Sequence, residues 1–186
     1  PTPEGADELG WPLVLAVTRN GKCLRFPLGP HRTPSTKSGR RFVRLEPGMA
    51  DDRVLMVAVT IGHENVCVAC ERARCSIFPV DDVNVLSGIG KGVQAMKLDK
   101  DDLLLGACVS DAARKGLVVE SSRGATMVVR TTKYEVTKRG GKGRQMLKRA
   151  YFKRVIPDPV VPLGWGDVAG ANGANGADAD DEDEQE

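Results

Sequence analysis

Short hydrophobic runs, separated by turn-forming residues, recur along most of this chain. The first run covers residues 13–17, Asn20 and Gly21 follow it, and a second run over residues 23–26 ends at Pro27. Asn-Gly between two apolar runs predicts a β-hairpin, because both residues adopt the positive φ angles that a tight hairpin turn needs. No segment shows helical periodicity, so the pattern predicts an all-β protein.

Two further strands are predicted before the pattern starts again. Residues 41–45 alternate polar and apolar side chains, which is typical of a strand with one buried face. A turn at Glu46, Pro47 and Gly48 follows, and residues 54–60 form a longer, mostly apolar run. The predicted unit therefore consists of four short strands.

The same order of strands, turns and glycines returns twice. Residues 66–79 match residues 14–27 at an offset of 52, residues 117–129 give a third copy, and fourth strands are predicted at residues 103–109 and 152–156. The glycines that mark the period are spaced by 51 residues: Gly39, Gly90 and Gly141. A fixed period of this length with four strands and no helix indicates propeller-like blades. We predict three blades, at about residues 11–62, 63–113 and 114–157.

The ends of the array pose a physical problem, because three blades do not readily close a ring and a terminal blade must cover its apolar face. Either the three blades form an open arc with capped end faces, or further blades precede residue 1. Residues 1–10, rich in proline, glycine and acids, are interpreted as a linker. Residues 158–186 contain few bulky apolar side chains and are predicted to be a disordered acidic tail.

Charge is distributed unevenly along the sequence. All 27 lysines and arginines, but only 14 of the 25 acids, lie between residues 11 and 166, which gives this body a net charge of +13. A basic body favours nucleic acid as the partner over membrane or an acidic metabolite. No apolar run approaches the roughly 20 residues that span a bilayer, and no signal peptide is visible. The five unevenly spaced cysteines favour reduced thiols in the cytoplasm over a disulfide framework.

The densest basic segment begins at Lys138 and ends at Arg154, with eight cations and no acid. We call residues 137–144 the third box, and its weaker copies at residues 38–42 and 90–93 the first and second boxes. Glycines let backbone N–H groups approach an anion closely, and cations supply the attractive field. The candidate phosphate-binding residues are Arg40, Arg41, Lys91, Lys138, Arg139, Gly140, Gly141, Lys142, Gly143, Arg144, Lys148 and Arg149. The alternatives are that the same residues hold the blades together or form a solvated face.

A zinc site is the main competing interpretation of the cysteines. His63, Cys67, Cys70 and Cys75 offer four ligands within thirteen residues. However, Cys67 and Cys70 have opposite parity on a strand and are expected to point to opposite faces. The repeat also matches Cys67 to Leu15, which is no ligand, so we expect no metal site.

No catalytic site is predicted within this segment. His31 and His63 have no nucleophile partnered by spacing, and no phosphate-binding loop for ATP is present. Tyr134 and Tyr151 lie in or near basic sequence and are interpreted as packing residues.

With the repeat and boxes laid out, residues 11–157 resemble the C-terminal domain of the A subunit of bacterial type IIA topoisomerases. These are DNA gyrase and topoisomerase IV. In that family the domain is a β-pinwheel of four-stranded blades that binds and bends DNA around its rim. Its gyrase members carry the signature Gln-Arg-Arg-Gly-Gly-Lys-Gly, and residues 137–143 keep five of these seven residues.

Two departures from the gyrase pattern favour a protein like the topoisomerase IV A subunit. In gyrase the intact box belongs to the first blade, whereas here the best copy lies in the last, and the blades are fewer. The gyrase A subunit remains the alternative. A protein of another class, a propeller-like scaffold that binds acidic protein surfaces, is the second alternative.

The resemblance implies a non-catalytic domain that binds, bends or wraps double-stranded DNA for strand passage elsewhere in the enzyme. It implies ATP and Mg²⁺ for the holoenzyme but no cofactor in this segment. The implied partners are DNA, the topoisomerase B subunit through upstream domains, and a second copy of the A subunit, in the cytoplasm and at the nucleoid. The acidic tail either competes with DNA for the basic surface or only aids solubility.

Overall fold

The computed structural model describes residues 12–34, 38–48, 51–110 and 116–157. The predicted linker at residues 1–10 and the predicted acidic tail at residues 158–186 lie outside these ranges. The first repeat contains β1 (Leu13–Thr18), β2 (Lys22–Pro27), a four-residue helix α1 (Gly29–Arg32) and β3 (Val54–Thr60).

The later repeats follow the same order. The second contains β4 (Asn65–Cys70), β5 (Arg74–Pro79), a 3₁₀ turn at Val80–Asp82, β6 (Val93–Gln94) and β7 (Leu104–Ser110). The third contains β8 (Leu117–Ser121), β9 (Thr126–Val129), β10 (Arg144–Gln145) and β11 (Phe152–Val155). The all-β prediction is confirmed, and no helix in the described ranges is long and apolar enough to cross a bilayer.

The strands form three antiparallel sheets that do not coincide with the repeats. The first sheet has the order β3-β1-β2-β6, the second β10-β5-β4-β7 and the third β11-β8-β9. Thus β6 of the second repeat completes the sheet of the first, and β10 of the third repeat completes the sheet of the second. The sequence repeat predicts all four strands of a unit in one sheet, and the structure instead exchanges one strand between neighbours.

A close-approach glycine makes each exchange possible. Gly92 has a φ of +72° and Gly143 a φ of +71°, and a Cβ at either position would collide with the carbonyl of Cys23 or Cys75, respectively. Only glycine combines a positive φ with this contact at low cost. The second and third boxes, which each join a neighbouring sheet, therefore carry a glycine at the point where their backbone contacts a carbonyl of that sheet.

The first box differs, and the strand predicted at residues 41–45 is wrong. Its only pairing among the described residues is an isolated parallel bridge between Val43 and Gly90. Arg41 stands at the repeat position of Gly92 and Gly143, and its Cβ cannot make the close approach that those glycines allow. Phe42 instead packs on Phe26, with ring centroids 4.8 Å apart.

Three apolar clusters form the core, and two of them hold successive sheets together. One lies between the first and second sheets and includes Leu15, Val17, Phe78 and Met96. Another lies between the second and third sheets, and the last covers part of the outer face of the first sheet. Hydrophobic burial between successive sheets is thus the main stabilising contribution to the array.

Backbone hydrogen bonds repeat the same connection at each junction. The N–H of Leu104 in β7 donates to the carbonyl of Arg19 at 2.8 Å, and the N–H of Phe152 in β11 donates to the carbonyl of Glu71 at 2.9 Å. Arg19 and Glu71 occupy the same turn position one repeat apart, and their side chains are themselves joined by an ion pair at 2.8 Å. The turns of the first and second hairpins are therefore each fixed by the last strand of the next repeat.

Candidate nucleic-acid interface

The third box crosses from the third repeat to the edge of the second sheet. Arg144 pairs with Cys75, and Gln145 pairs with Arg74. The N–H of Thr137 donates to the carbonyl of Ile77 at 2.7 Å, which anchors the beginning of the box on the same strand. Both ends of the box are therefore held on β5, and the residues between them form a loop.

Arg139 lies within this loop, and its guanidinium group is bound by the protein itself. Its Nε donates to the carbonyl of Asp82 at 3.0 Å, and its Nη1 donates to the carbonyl of Gln94 at 2.7 Å. Its backbone N–H reaches the carboxylate of Asp82 at 3.2 Å. These bonds join the third box to the second repeat, so the planar fork of the arginine is used to position the loop.

Backbone bonds connect the third box to the segment that follows the second box. The N–H of Gly140 donates to the carbonyl of Ala95 at 2.9 Å, and the N–H of Lys97 donates to the carbonyl of Gly141 at 2.8 Å. The glycines of the box are therefore engaged in contacts between repeats, and their own N–H groups are only partly available to an anion.

The residues that directly follow the first box contact the second box. The N–H of Arg44 donates to the carbonyl of Gly90 at 2.8 Å, beside the bridge between Val43 and Gly90. The three boxes, each taken with the few residues that follow it, therefore form a continuous series: residues 43–44 contact the second box, and residues 94–97 contact the third box. We call this series the box track.

Most predicted phosphate-binding cations on the box track are exposed. Lys91 is joined to Glu46 by a 3.4 Å ion pair at the surface, and Arg144 lies over the ring of Tyr134 at 5.8 Å. An exposed ion pair of this kind contributes little and leaves the lysine accessible. Arg139 is half-buried, and the exposed cations are Arg40, Arg41, Lys91, Lys138, Lys142, Arg144, Lys148 and Arg149.

Sequence reasoning missed two cations beside the boxes, Arg44 and Lys97. Lys97 is exposed, and its backbone contacts the third box through Gly141. A signal was present in the sequence, because Lys97 and Lys148 are spaced by the same 51 residues as the marker glycines.

The cysteines lie on two sides of the second sheet. Cys67 and Cys75 belong to the cluster shared with the third sheet, whereas Cys70 belongs to the cluster shared with the first. Burial raises the pKa of the Cys75 thiol to about 12, while hydrogen bonds from Cys108 and Ser110 lower the pKa of Cys67. No group of three or more metal-ligating side chains occurs among the described residues.

The two tyrosines differ in their surroundings. Tyr134 packs against the cluster between the second and third sheets. Tyr151 is 59% exposed, so the prediction that it is a packing residue is wrong. It immediately precedes β11, and its carbonyl accepts the N–H of Ser122 at 2.8 Å.

Sequence comparison places this geometry among known proteins. The chain matches the family model described as "DNA gyrase C-terminal domain, beta-propeller" over residues 12–52, 71–107 and 120–149. The DNA gyrase A subunit of Ureaplasma parvum is 27% identical over 111 residues, and that of Helicobacter pylori is 30% identical over 127 residues. These matches cover 60% and 68% of this chain, but the chain spans only 13% and 15% of the two relatives.

Solved structures agree on the fold. The C-terminal domain of DNA topoisomerase IV superposes with a TM-score of 0.66 at 22% identity, covering 78% of this chain and 46% of that chain. The DNA gyrase A C-terminal domain gives a TM-score of 0.61 at 23% identity, with coverage of 81% and 50%. The E. coli ParC C-terminal domain gives 0.56 at 14% identity, with coverage of 78% and 62%.

The propeller-like fold expected from the repeat, and the β-pinwheel implied by the resemblance, are confirmed by these superpositions. The family model covers more than half of the chain, including all of the first and third boxes and most of the second repeat. This chain therefore belongs to the family of DNA gyrase C-terminal β-propeller domains.

Proposed function

We propose that this chain is the non-catalytic DNA-binding module of the A subunit of a type II DNA topoisomerase. The observation that carries the proposal is the box track, in which three successive segments expose cations while Arg139 and the glycines of the second and third boxes hold the segments in place. A duplex that follows the track meets positive charge contributed by each of the three repeats.

The mechanism of binding is electrostatic. Each phosphate contact with a lysine or arginine releases counterions, so affinity falls steeply with salt concentration. Six to ten such contacts cost roughly 10³–10⁵ in affinity between about 50 and 200 mM salt. The described residues contain no helix long enough to enter the major groove, so the base edges are not read and sequence specificity is low.

Because the box track crosses from the edge of the first sheet to the edge of the second, and does not follow one flat sheet, we expect DNA that follows it to bend. Bending a site of about 20–30 bp by about 40–90° costs on the order of 1–6 kcal/mol. Several phosphate contacts offset that cost. The module would thereby present a bent segment of duplex to the cutting and strand-passage domains of the enzyme.

The remaining parts of the proposal concern the whole enzyme, of which this chain is a small fraction. Strand cleavage, ATP hydrolysis with Mg²⁺, pairing with the B subunit and dimerisation of the A subunit belong to other domains, and the enzyme acts in the cytoplasm. The relatives, which are named as gyrase A subunits, support this assignment.

Within this class, we favour a protein like the topoisomerase IV A subunit, because the box closest to the signature lies in the last repeat. The curated relatives favour gyrase, in which the domain would wrap DNA. Ligation of nicked circular DNA in the presence of the protein separates the two. Wrapping with a defined hand changes the linking number of the closed product, whereas simple bending leaves it unchanged.

The proposal is tested with the double variant Lys142→Glu/Arg144→Glu. We expect a large loss of affinity for random duplex DNA at low salt, measured by fluorescence anisotropy over a salt series, and loss of bending measured by energy transfer between duplex ends. Lys153→Glu, which reverses the charge of an exposed lysine in β11 outside the boxes, is the matched control. Unchanged affinity in the double variant, with an unchanged melting temperature, would refute the proposal and favour a protein-binding scaffold.

A further inference from the structure

Two cysteines face each other across neighbouring strands of the second sheet. Cys67 in β4 and Cys108 in β7 are direct partners in the antiparallel register. Residues opposite each other in such a register project from the same face, and both side chains contribute to the cluster between the second and third sheets. The Cys108 thiol donates a hydrogen bond to the sulfur of Cys67. We call these two residues the thiol pair.

The strand register gives the thiol pair the backbone geometry of a disulfide. Directly opposed residues of an antiparallel pair have Cα atoms about 4.5 or 5.5 Å apart, depending on the hydrogen-bonding pattern. Residues joined by a disulfide have Cα atoms about 4.4–6.8 Å apart, so either spacing is suitable. A bond between the two sulfur atoms therefore requires rotation of side chains but no change in the register of β4 and β7.

The remaining three cysteines, all of them in the described ranges, stand opposite residues of other types. Cys23 pairs with Val93 of the neighbouring repeat, and Cys75 pairs with Arg144. Cys70 belongs to the cluster on the opposite side of the second sheet. Among the described cysteines, the register thus favours a bond within the thiol pair.

The surroundings of Cys67 favour its thiolate, which is the form that reacts with oxidants. The hydrogen bond from Cys108 lowers the pKa of Cys67, and hydrogen bonds from the Ser110 hydroxyl and the Leu117 N–H act in the same direction against the effect of burial. Burial instead raises the pKa of Cys75 to about 12. The thiol pair is therefore expected to react more readily than a buried thiol without such donors.

Access to the thiol pair comes from the side of Cys108. Cys67 is fully buried, whereas Cys108 is only partly buried, so a small oxidant reaches the pair from solvent at that residue. The equivalent partners in the first sheet are Leu15 and Ala58. Apolar side chains thus suffice for packing at this position, and packing alone does not require two thiols.

We propose that Cys67 and Cys108 are a redox site that forms a reversible disulfide when a peroxide reaches the protein. The thiolate of the pair attacks one oxygen of hydrogen peroxide, the O–O bond breaks, and the other oxygen leaves as water with the proton that the thiol lost. The second sulfur then attacks the resulting sulfenic sulfur, the S–O bond breaks, and the hydroxyl group leaves as water with the proton of the second thiol. The two thiols lose two electrons and the peroxide gains them. A dithiol reverses the reaction by thiol–disulfide exchange.

The disulfide would join the two ends of a long excursion of the chain. Residues 68–107 lie between the two cysteines and contain β5, the second box and β6, which pairs with the first sheet. A cross-link that closes such a loop restricts the unfolded chain more than the folded one. We therefore expect oxidation to stabilise the second sheet, which packs against both of the other sheets.

The experiment treats the folded full chain with hydrogen peroxide, alkylates the remaining thiols and maps the peptides by mass spectrometry. We expect an intramolecular link between Cys67 and Cys108, a mass lower by about 2 Da, and recovery of both thiols in dithiothreitol. Cys67 and Cys70 share a tryptic peptide, so fragmentation assigns the link, and Cys70→Ser should still form it. The link should form at least about tenfold faster than Cys75 is oxidised. The oxidised chain should also melt several degrees higher than the reduced chain.

Cys108→Ala removes the partly buried member of the pair, and it should form no link and show no rise in melting temperature with peroxide. Cys75→Ala, on the same face of the sheet, is the matched control and should form the link like the parent chain. A link to Cys70 or Cys75, links only between chains, or thiols that stay unlinked in the folded chain would each overturn the proposal. A lower melting temperature after oxidation would show that the bond distorts the sheet, and it would overturn the proposal as well.

Discussion

The third box and the first box each contain a marker glycine and a group of cations, yet only the third box becomes part of a β-sheet. The third box ends in a strand of the second sheet, whereas the described residues of the first box join no strand, and Val43 just after it forms a single bridge. The two differ at one decisive position, occupied by Gly143 in the third box and Arg41 in the first. The comparison teaches that a basic glycine-rich segment serves two purposes, and that it joins a sheet where the preceding repeat offers a strand edge and a glycine allows the close approach.

The largest effect is expected for Gly143→Ala. The variant combines a φ of +71° with a Cβ placed 2.5 Å from the carbonyl of Cys75. We expect a loss on the order of 3 kcal/mol in unfolding free energy, since strain at positive φ alone costs about 1–3 kcal/mol. For a chain of this size, that lowers the melting temperature by roughly 6–12 °C, measured by circular dichroism.

Gly39→Ala in the first box is the control, because its φ of +69° is nearly the same but no atom lies within 4 Å of the added Cβ. It should cost only about 1 kcal/mol. If both variants lose the same free energy of unfolding, backbone strain accounts for the effect at Gly143, and the close contact of Gly143 with β5 does not.

Arg139→Ala is expected to have the next largest effect. It leaves the carbonyls of Asp82 and Gln94 without their donors, and each unsatisfied group costs about 1–3 kcal/mol when it is shielded from water. Since the site is half-exposed, we expect a total loss of about 1–2 kcal/mol in urea unfolding. Arg139→Lys should not restore stability, because an ammonium group does not reproduce the two-pronged geometry.

Lys138→Ala, which removes an exposed neighbouring cation, should change stability by less than about 0.5 kcal/mol. If Arg139→Ala proves equally neutral, the bonds of Arg139 to the second repeat do not stabilise the fold. Its role would then be confined to DNA.

Lys142→Ala and Arg41→Ala compare how much the third and the first box contribute to DNA binding. Both remove an exposed cation, one from the third box and one from the first. We expect each to weaken DNA binding and to lower the slope of log affinity against log salt by about 0.9, with no change in stability. If only Lys142→Ala lowers the slope of log affinity against log salt, DNA contacts the third box but does not follow the whole box track.

The smallest effect concerns the thiols beneath the boxes. Cys23 pairs with Val93 of the second box and Cys75 with Arg144 of the third, and burial raises the pKa of both thiols to about 12. Because the thiolate is the reactive form, both should resist a maleimide at pH 8. In Gly143→Ala, labelling of Cys75 should become several-fold faster while Cys23 stays protected, as mass spectrometry of peptides would show. Equal acceleration at both thiols would indicate global unfolding.

Much of the fold is predictable from local pattern. Residues 54–60 are predicted as a strand and form β3 with those bounds, and the hairpins at Gly21 and Gly124 have their turns where the sequence places them. The strand exchange is not predictable, because β6 and β10 contain two residues each, and so short a run does not indicate which sheet it joins.

The site is less predictable than the fold. From sequence alone, Arg139 and Lys142 are both cations in a glycine-rich loop. Only the structure shows the guanidinium of Arg139 bound to two carbonyls while Lys142 remains exposed. The reason is that the acceptors belong to the preceding repeat, far away in the chain.

The exchanged strands also set the order in which the protein can fold as it is synthesised. Lys22 pairs with Gln94, which follows it by about 70 residues in the chain. Since ribosomes add roughly 5–20 residues per second, the last strand of the first sheet is synthesised several seconds after the first hairpin. The second sheet waits in the same way for Arg144. During each interval the free edge of a hairpin is available to pair wrongly with other chains. We therefore expect nascent chains to depend on chaperones more than the length of the domain suggests.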